Sequence, residues 1–439
     1  MDAPNAPAPA RAPAAGPPVE QYTLGNGLRV VLAPERTSPV VGVCVGYDVG
    51  SRSEPEGRAG FAHLFEHLMF QGSAKVGRKE HVARVQGCGG SANAATHLDF
   101  TDFYQAVPAA SLEQVLFLEA DRMRGPRITE EELRGQVAVV CGEIRGKVSD
   151  VPYGGFPGVP VAGALFETFH NAHDGWGSAA ELGAVTVEEA ADFHERYYAP
   201  ANAVLTVAGD FSPERAAALV EAHFGGVPAR PAPPPAALDE PPPAADRHRS
   251  YRDPRAPLAA LAAAWRVPDP VRETAAYLPY AVLAELLTGA GAVLTRRLVL
   301  AEGLAAAVGG RLGLFNEPFT VRHPTGLVLT AHLRPGGTAE AALRVLDDEL
   351  ERAAAGRSAP PALNAARAAL VGTALAGLDG MLDRARRLGA HALLHGDATT
   401  AATLPAMLAT VTPDQVAAAA ATLRAQPRTV VEVLPGGAR

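Results

Sequence analysis

Residues 60–72 read GFAHLFEHLMFQG, two histidines and a glutamate set in an otherwise apolar run. Burying histidine or glutamate without partners is costly, so the run needs a reason to carry three of them. Residues 58–70 hold no proline and no glycine after Gly60, and their apolar side chains fall on most faces, which predicts a buried helix. On a helix His63 and His67, four residues apart, share one face, and Glu66 lies beside them. Two imidazoles converging from one face can hold a zinc ion, which in catalytic sites takes three protein ligands and keeps one position open. A carboxylate within reach of a water held there can take its proton and hand it to a leaving amine. Glu66 is placed for that role.

The third ligand has to come from elsewhere. Residues 129–147 predict an amphipathic helix opened by Thr129 and Glu132 at capping-box spacing. Glu143 lies on it between VVC and Ile144, apolar neighbours that leave a carboxylate in need of a partner such as a metal. Other readings stand beside this one. A pair of capping or core histidines would explain His63 and His67 without metal. His391 and His395, in HALLHGD, repeat the four-residue spacing with no carboxylate alongside and read as structural. Cys141 reads as a small packed hydrophobe rather than a ligand.

With 439 residues, 20% charged and 48% hydrophobic, the composition is that of a globular protein of two to four domains. A net charge of −8 with scattered arginines lacks the basic stripe of a nucleic-acid binder. Three cysteines without CxxC spacing argue against a disulfide framework and for a reducing compartment. No run reaches the roughly 18 apolar residues of a membrane span. The Pro/Ala-rich residues 1–20 lack the apolar core of a secretory signal, so the expectation is a flexible tail and a cytoplasmic protein.

Further along, LRVVLAPERTSPVVGVCVGYDVG offers two strands consistent with a hairpin. SLEQVLFLEADRM is helical, NAVLTVAGD is a strand, and SPERAAALVEAHFG is a helix with Ser212 as N-cap and Pro213 in its first turn. Between residues 227 and 254 the chain turns proline-dense, as a semi-rigid spacer would. This divides it into 21–226, a linker 227–254, and 255–439. The second half reuses the grammar of the first: TAHLRPGGTAEAALRVLDDELERA repeats the strand, loop and helix of TDFYQAVPAASLEQVLFLEADRM. That hints at a duplicated α+β unit. The second half has no copy of HLFEH.

HxxEH is the inverted zinc motif, and the chain resembles the pitrilysin-type (inverzincin) metallopeptidases, in the half-size branch that includes the mitochondrial processing peptidases. The resemblance runs from Gln21 to the C-terminus through LGNGLRVVLAP, YDVGSRSEPEGRAGFAHLFEHLMFQGS, GGSANAATHLDFTDFYQAVP, LEADRM, VVCGEIRGKVSD and YYAPANAVLTVAGDFS. It implies one Zn2+ per chain on His63, His67 and Glu143, with Glu66 as general base. It implies an edge strand around Gly90, Asn93 and Ala94 that pairs with an extended peptide substrate. Each half would be an α+β domain with a mostly antiparallel sheet packed with helices, and two chains would close as a clamshell chamber.

Two departures from the family pattern stand out. Gln136 occupies the position of a supporting glutamate seven residues before the zinc-binding one. In LTRRLVLAEGLAAAV, Val299 and Ala306 replace an arginine–tyrosine pair that binds the substrate carbonyl. The expectation is therefore a catalytic zinc endopeptidase subunit completed by a paralogue that lacks HxxEH and carries the pair. A homodimer is the second choice. The alternatives are a non-catalytic peptide-binding or assembly subunit of the same fold, and a metal-dependent hydrolase of non-peptide substrates.

Overall fold

The computed structural model describes residues 18–315 and 318–436. The tail expected over 1–20 lies almost wholly outside them. The first sheet is built from β1 (Glu20–Thr23), β2 (Arg29–Pro34), β3 (Val40–Tyr47), β4 (Ser91–Thr96), β5 (Thr101–Pro108) and β6 (Ala203–Gly209), in the order β1-β2-β6-β3-β5-β4. The second contains β7 (Arg247–Asp253), β8 (Ala260–Val267), β9 (Ala305–Leu312), β10 (Thr325–Leu333) and β11 (Thr429–Pro435), in the order β7-β11-β8-β10-β9. Between them, residues 228–246 carry no regular secondary structure apart from a bend at 245.

The expected hairpin between β2 and β3 does not form. β6 inserts between them, parallel to β2 and antiparallel to β3, and the hairpin is instead β1 with β2. Val30–Ala33, Val41 and Val43–Val45 are all buried, so each strand needs a neighbour on both edges. A short connection brings β2 and β3 close in sequence, but it does not say what comes between them.

The duplication is visible strand for strand. From β2 onward the first sheet has one parallel pair followed by three antiparallel ones. The second repeats this, with β7 parallel to β11 and then β8, β10 and β9 antiparallel in turn. β4 and β9 are thus matching edge strands.

The halves also exchange helices. Gly158–Leu165, from the first half, lies on the second sheet, where Val161, Ala162 and Leu165 pack with Ala262, Ala264 and Val431. Met381–His395, from the second half, lies on the first sheet, where Ala385, Leu388 and Leu393 pack with Val31, Cys44 and Val204. Each such aliphatic burial is worth roughly 1.5–3 kcal/mol. The second helix sits unusually close. A Cβ on Gly42 of β3 would fall 2.6 Å from the carbonyl carbon of Met381 and 2.7 Å from Cα of Leu382.

Polar contacts fix the same interface. Arg386 donates to Asp102 at 2.6 Å, and Arg322 donates to both oxygens of Asp48 at 2.6 and 2.9 Å. Buried Arg52 donates to Asp99 and to the carbonyls of Arg322 and Pro324. These acceptors meet both terminal nitrogens of the buried guanidinium, which offsets much of the cost of burying it. A cavity of about 1240 Å³ opens here, walled by Arg29, Arg58, Asp192 and Arg322 and by the proline-rich segment; neither His63, His67 nor Glu143 lines it.

Two histidines away from the motif make the fold acid-sensitive. Burial pushes His194 and His391 each down to about 3, aided by Arg230 and His395 respectively. A folded-state pKa below the unfolded value of about 6.5 gives stability that is complete above that pH and lost as pH falls toward the folded value. Between pH 6.5 and 5 each should cost about 2 kcal/mol. Urea unfolding at pH 7 and pH 5 should show that loss, and His194→Gln with His391→Gln should flatten it.

Candidate metal centre

The motif helix runs Phe61–Leu68, shorter at both ends than its apolar pattern suggests. It starts at Gly60, whose φ of 84° favours glycine, and the carbonyl of Trp176 occupies the place of a Cβ there. Gly60 has no side chain to cap the helix, so Glu54 supplies one. Its fully buried carboxylate accepts from the N–H groups of Gly60 at 2.9 Å and Ala62 at 2.7 Å, negative charge at the positive end of the helix. His173 holds the same carboxylate at 3.0 Å. Phe61 stacks on Phe193 and Phe65 packs on Tyr198, so the apolar face is anchored in the first core. His63, Glu66 and His67 fall on the opposite, half-buried face.

The helix Glu130–Ile144 packs beside it, opened by the expected Thr129–Glu132 capping box. Gln136, Val140, Glu143 and Lys147 form one stripe along it, and its continuation, running from buried to exposed. Glu143 sits near the exposed end, with 29% of its side chain accessible rather than enclosed by its apolar neighbours. Its Oε1 lies 3.5 Å from His67 Nε2 and its Oε2 lies 3.8 Å from His63 Nε2, and the two Nε2 atoms are 3.3 Å apart. Ligands about 2.0–2.2 Å from a tetrahedral zinc ion lie about 3.3–3.6 Å from one another. Two imidazoles and a carboxylate at these spacings match a zinc site in donor type and geometry. Among the described residues this is the one group of three such side chains brought together.

The charge states suit ligation. Burial pushes His63 down to about 4, with His67 adding to the effect, and burial also lowers His67. Both are therefore neutral near pH 7, with lone pairs free for a metal. Burial alone would raise Glu143, but the hydrogen bond and charge of Lys147 hold it below its ordinary value. Glu66 is raised, chiefly by burial, as suits a base that must be ready to hold a proton. Thr96, the last residue of β4, donates to Glu66 Oε2 at 2.6 Å and fixes where that carboxylate points.

Two of the three donors have a polar outer partner, the arrangement that orients metal ligands in general. Gln136, at the position expected for a supporting glutamate, lies beside His67 and favours its protonated form. Lys147 donates to Glu143 Oε2 at 2.9 Å. His63 Nδ1 is buried without a protein partner among the described residues. Its ring meets Trp176 in a T-shaped contact instead, with centroids 5.4 Å apart and planes at 89°. Lys147 lay within reach of sequence reasoning, because it stands four residues after Glu143 at ion-pair spacing. Trp176 and Thr96 come from distant segments and leave no such signal.

β4 is one of the two edge strands of its sheet, and its last residue, Thr96, reaches the site. Asn93 is exposed on it and accepts from the N–H of Ala94 at 2.9 Å. Gly90 immediately precedes it, where a Cβ would fall 2.6 Å from the carbonyl of Ala106, so close strand packing already requires glycine there. In the second half Val299 lies in a π-helical turn and Ala306 on β9, the edge strand matching β4. His391 and His395 stack on each other in the helix that covers the first sheet, with His391 bonded to Thr400. Cys141 packs against the first core.

Comparison with known proteins places these features in a group. A model described as Insulinase (Peptidase family M16) matches residues 29–151, and one described as Peptidase M16 inactive domain matches residues 184–370. Zinc protease PqqE of Helicobacter pylori is 33% identical over 215 residues, 47% of either chain. An uncharacterized zinc protease of Streptomyces coelicolor is 26% identical over 428 residues, 92% of this chain and 86% of that one. A probable mitochondrial-processing peptidase subunit beta of Arabidopsis thaliana is 24% identical over 216 residues, 47% of this chain and 39% of that one. The chain spans about half the length of the curated zinc proteases it matches in Helicobacter pylori, Mycobacterium leprae and Mycobacterium bovis. Among solved structures, a protease from Helicobacter pylori superposes with a TM-score of 0.87 at 24% identity, covering 95% of this chain and 100% of that one. The first half of the periplasmic protease PqqL from Escherichia coli superposes with a TM-score of 0.75 at 18% identity, covering 95% and 92%. The structural likeness is one of fold.

Proposed function

The chain belongs to the M16 peptidase family, and from that premise we propose that it is a zinc-dependent endopeptidase acting on extended peptides. One observation carries the reading. Three metal donors lie within 4.8 Å of one another, and the Glu66 carboxylate beside them is tied by Thr96 to the end of an unpaired edge strand. His63, His67 and Glu143 would hold one zinc ion per chain. When bound, zinc supplies Lewis-acid polarisation of a peptide carbonyl and acidifies a water.

The remaining work falls to this chain's own groups. The free edge of β4 takes a peptide in extended form as an added strand, which selects unfolded segments over folded proteins. Glu66 takes the proton from the attacking water and delivers it to the departing amine as the C–N bond breaks. Thr96 couples the two tasks, since it is both the end of the binding strand and the partner of the base.

Neither Val299 nor Ala306 can donate a hydrogen bond to the substrate carbonyl. We therefore assign this chain the catalytic role in a heterodimer, a paralogue without HxxEH supplying an arginine–tyrosine pair across a shared chamber. A homodimer is the second arrangement. The purified chain should hold one zinc, lose it to a chelator, and hydrolyse an unfolded polypeptide slowly until such a paralogue is added. Metal analysis with peptide digestion checks this. A chain that binds no zinc overturns the peptidase reading, and vigorous hydrolysis by the lone chain overturns the heterodimer.

A further inference from the structure

The site has one wall that the reaction above does not use. The motif helix packs between β4 on one side and the helix Glu130–Ile144 on the other. On that second side Lys147 stands with 60% of its side chain exposed, 2.9 Å from Glu143 Oε2. Its ammonium lies 5.6 Å from the centre of the Trp176 ring, which makes a T-shaped contact with His63.

Trp176 is held there firmly. Asp174 accepts from the N–H groups of Trp176 at 2.9 Å and Gly177 at 3.1 Å, shaping a tight turn. A Cβ on Gly177 would strike the backbone of Ala59, so the turn lies backbone to backbone against the start of the motif helix. His173, bonded to Glu54, pins the other end of the turn to the same place. Lys147 and Trp176 therefore each touch one of the three metal donors, while the edge strand touches Glu66 beside them.

We propose that Lys147, backed by Trp176, is a specificity-determining residue that selects an acidic side chain next to the scissile bond. This deepens the peptidase reading and rests on it. A peptide added to β4 points alternate side chains to opposite sides, and those beside the scissile bond on the inner side cross the motif helix toward Lys147. Among the described residues, Glu143 is the one anion paired with that ammonium. A carboxylate that serves as a metal ligand has its charge answered by the ion, which leaves Lys147 as an exposed cation able to take a second carboxylate. Its ammonium has three donors and Glu143 uses one. The Trp176 face limits where the ammonium can swing and holds it over the site.

The test uses the zinc-loaded full chain carrying Glu66→Gln, so that peptides bind without being cut. Calorimetry compares peptides that differ only by Glu or Gln beside the intended scissile bond. The glutamate peptide should bind about tenfold tighter, as one charge-assisted hydrogen bond requires. Lys147→Gln should erase the difference and Lys147→Glu should reverse it in favour of a lysine peptide, with zinc content measured in each. Equal binding of the two peptides to the chain with Lys147 intact overturns the proposal, as does a preference that survives Lys147→Gln. Tighter binding of an apolar peptide, whatever the residue at 147, would also overturn it and leave Trp176 as a plain apolar wall. Failure of every peptide to bind the zinc-loaded chain refutes the peptidase reading itself.

Discussion

Glu66→Gln should lower kcat roughly a thousandfold in the assembled enzyme, within the range typical for loss of a general base. Zinc content should stay unchanged, because Glu66 is not among the three donors that face one another. The fold should tolerate the change. Glu66 is largely buried and burial already disfavours its charged form, so a neutral amide of the same shape removes a cost. Thr96 can still donate to the amide oxygen, which keeps the tie between base and edge strand. Turnover at substrate saturation, with metal analysis on the same sample, checks this. A variant with near-normal kcat would assign proton transfer to another group. A variant that lost its zinc would make Glu66 part of the metal site.

Gly42→Val should destabilise the protein by about 3 kcal/mol, the upper end for forced overpacking. The obstruction is the backbone of Met381 and Leu382, which has no rotamer with which to retreat. Gly46, two turns of the pleat further along the same strand, provides the control. A Cβ there would meet Leu393 Cδ2 at 3.8 Å, an ordinary contact, so Gly46→Ala should be neutral or mildly stabilising. Urea unfolding of the two variants separates the cases, and equal effects would refute close helix approach as the reason for Gly42.

Much of the site could be read from the chain alone because its parts are local. HLFEH fixes a helix face within one turn and a half. The Thr129–Glu132 box sets the start of the helix that carries Glu143, and the periodicity there puts Gln136 and Glu143 on one stripe. The fold was less legible where it depends on distant pairing. β2 and β3 each declare themselves as buried strands, yet nothing in their residues names β6 as the strand between them. Trp176 and Glu54 reach the site through loops whose backbone path the pattern of apolar residues does not encode. Glu143 stands on the helix its sequence predicts, but in more open surroundings. Apolar neighbours in sequence point to other faces of a helix, so they say little about the exposure of the residue between them.

The exchanged helices bear on what counts as a unit of this protein. The proline-rich segment looks like a place to divide the chain into two halves, and by sequence it is. In the folded molecule the first sheet borrows its outer cover from beyond that segment, and the second sheet borrows from before it. A fragment ending at the linker would bare Val31, Cys44 and Val204 to water and carry an orphaned helix, Gly158–Leu165, with nothing to lie on. The half that carries HLFEH is therefore not a portable module. Its stability is a property of the pair, and an ancestral single unit of this kind would have needed a second copy of itself to supply the missing cover.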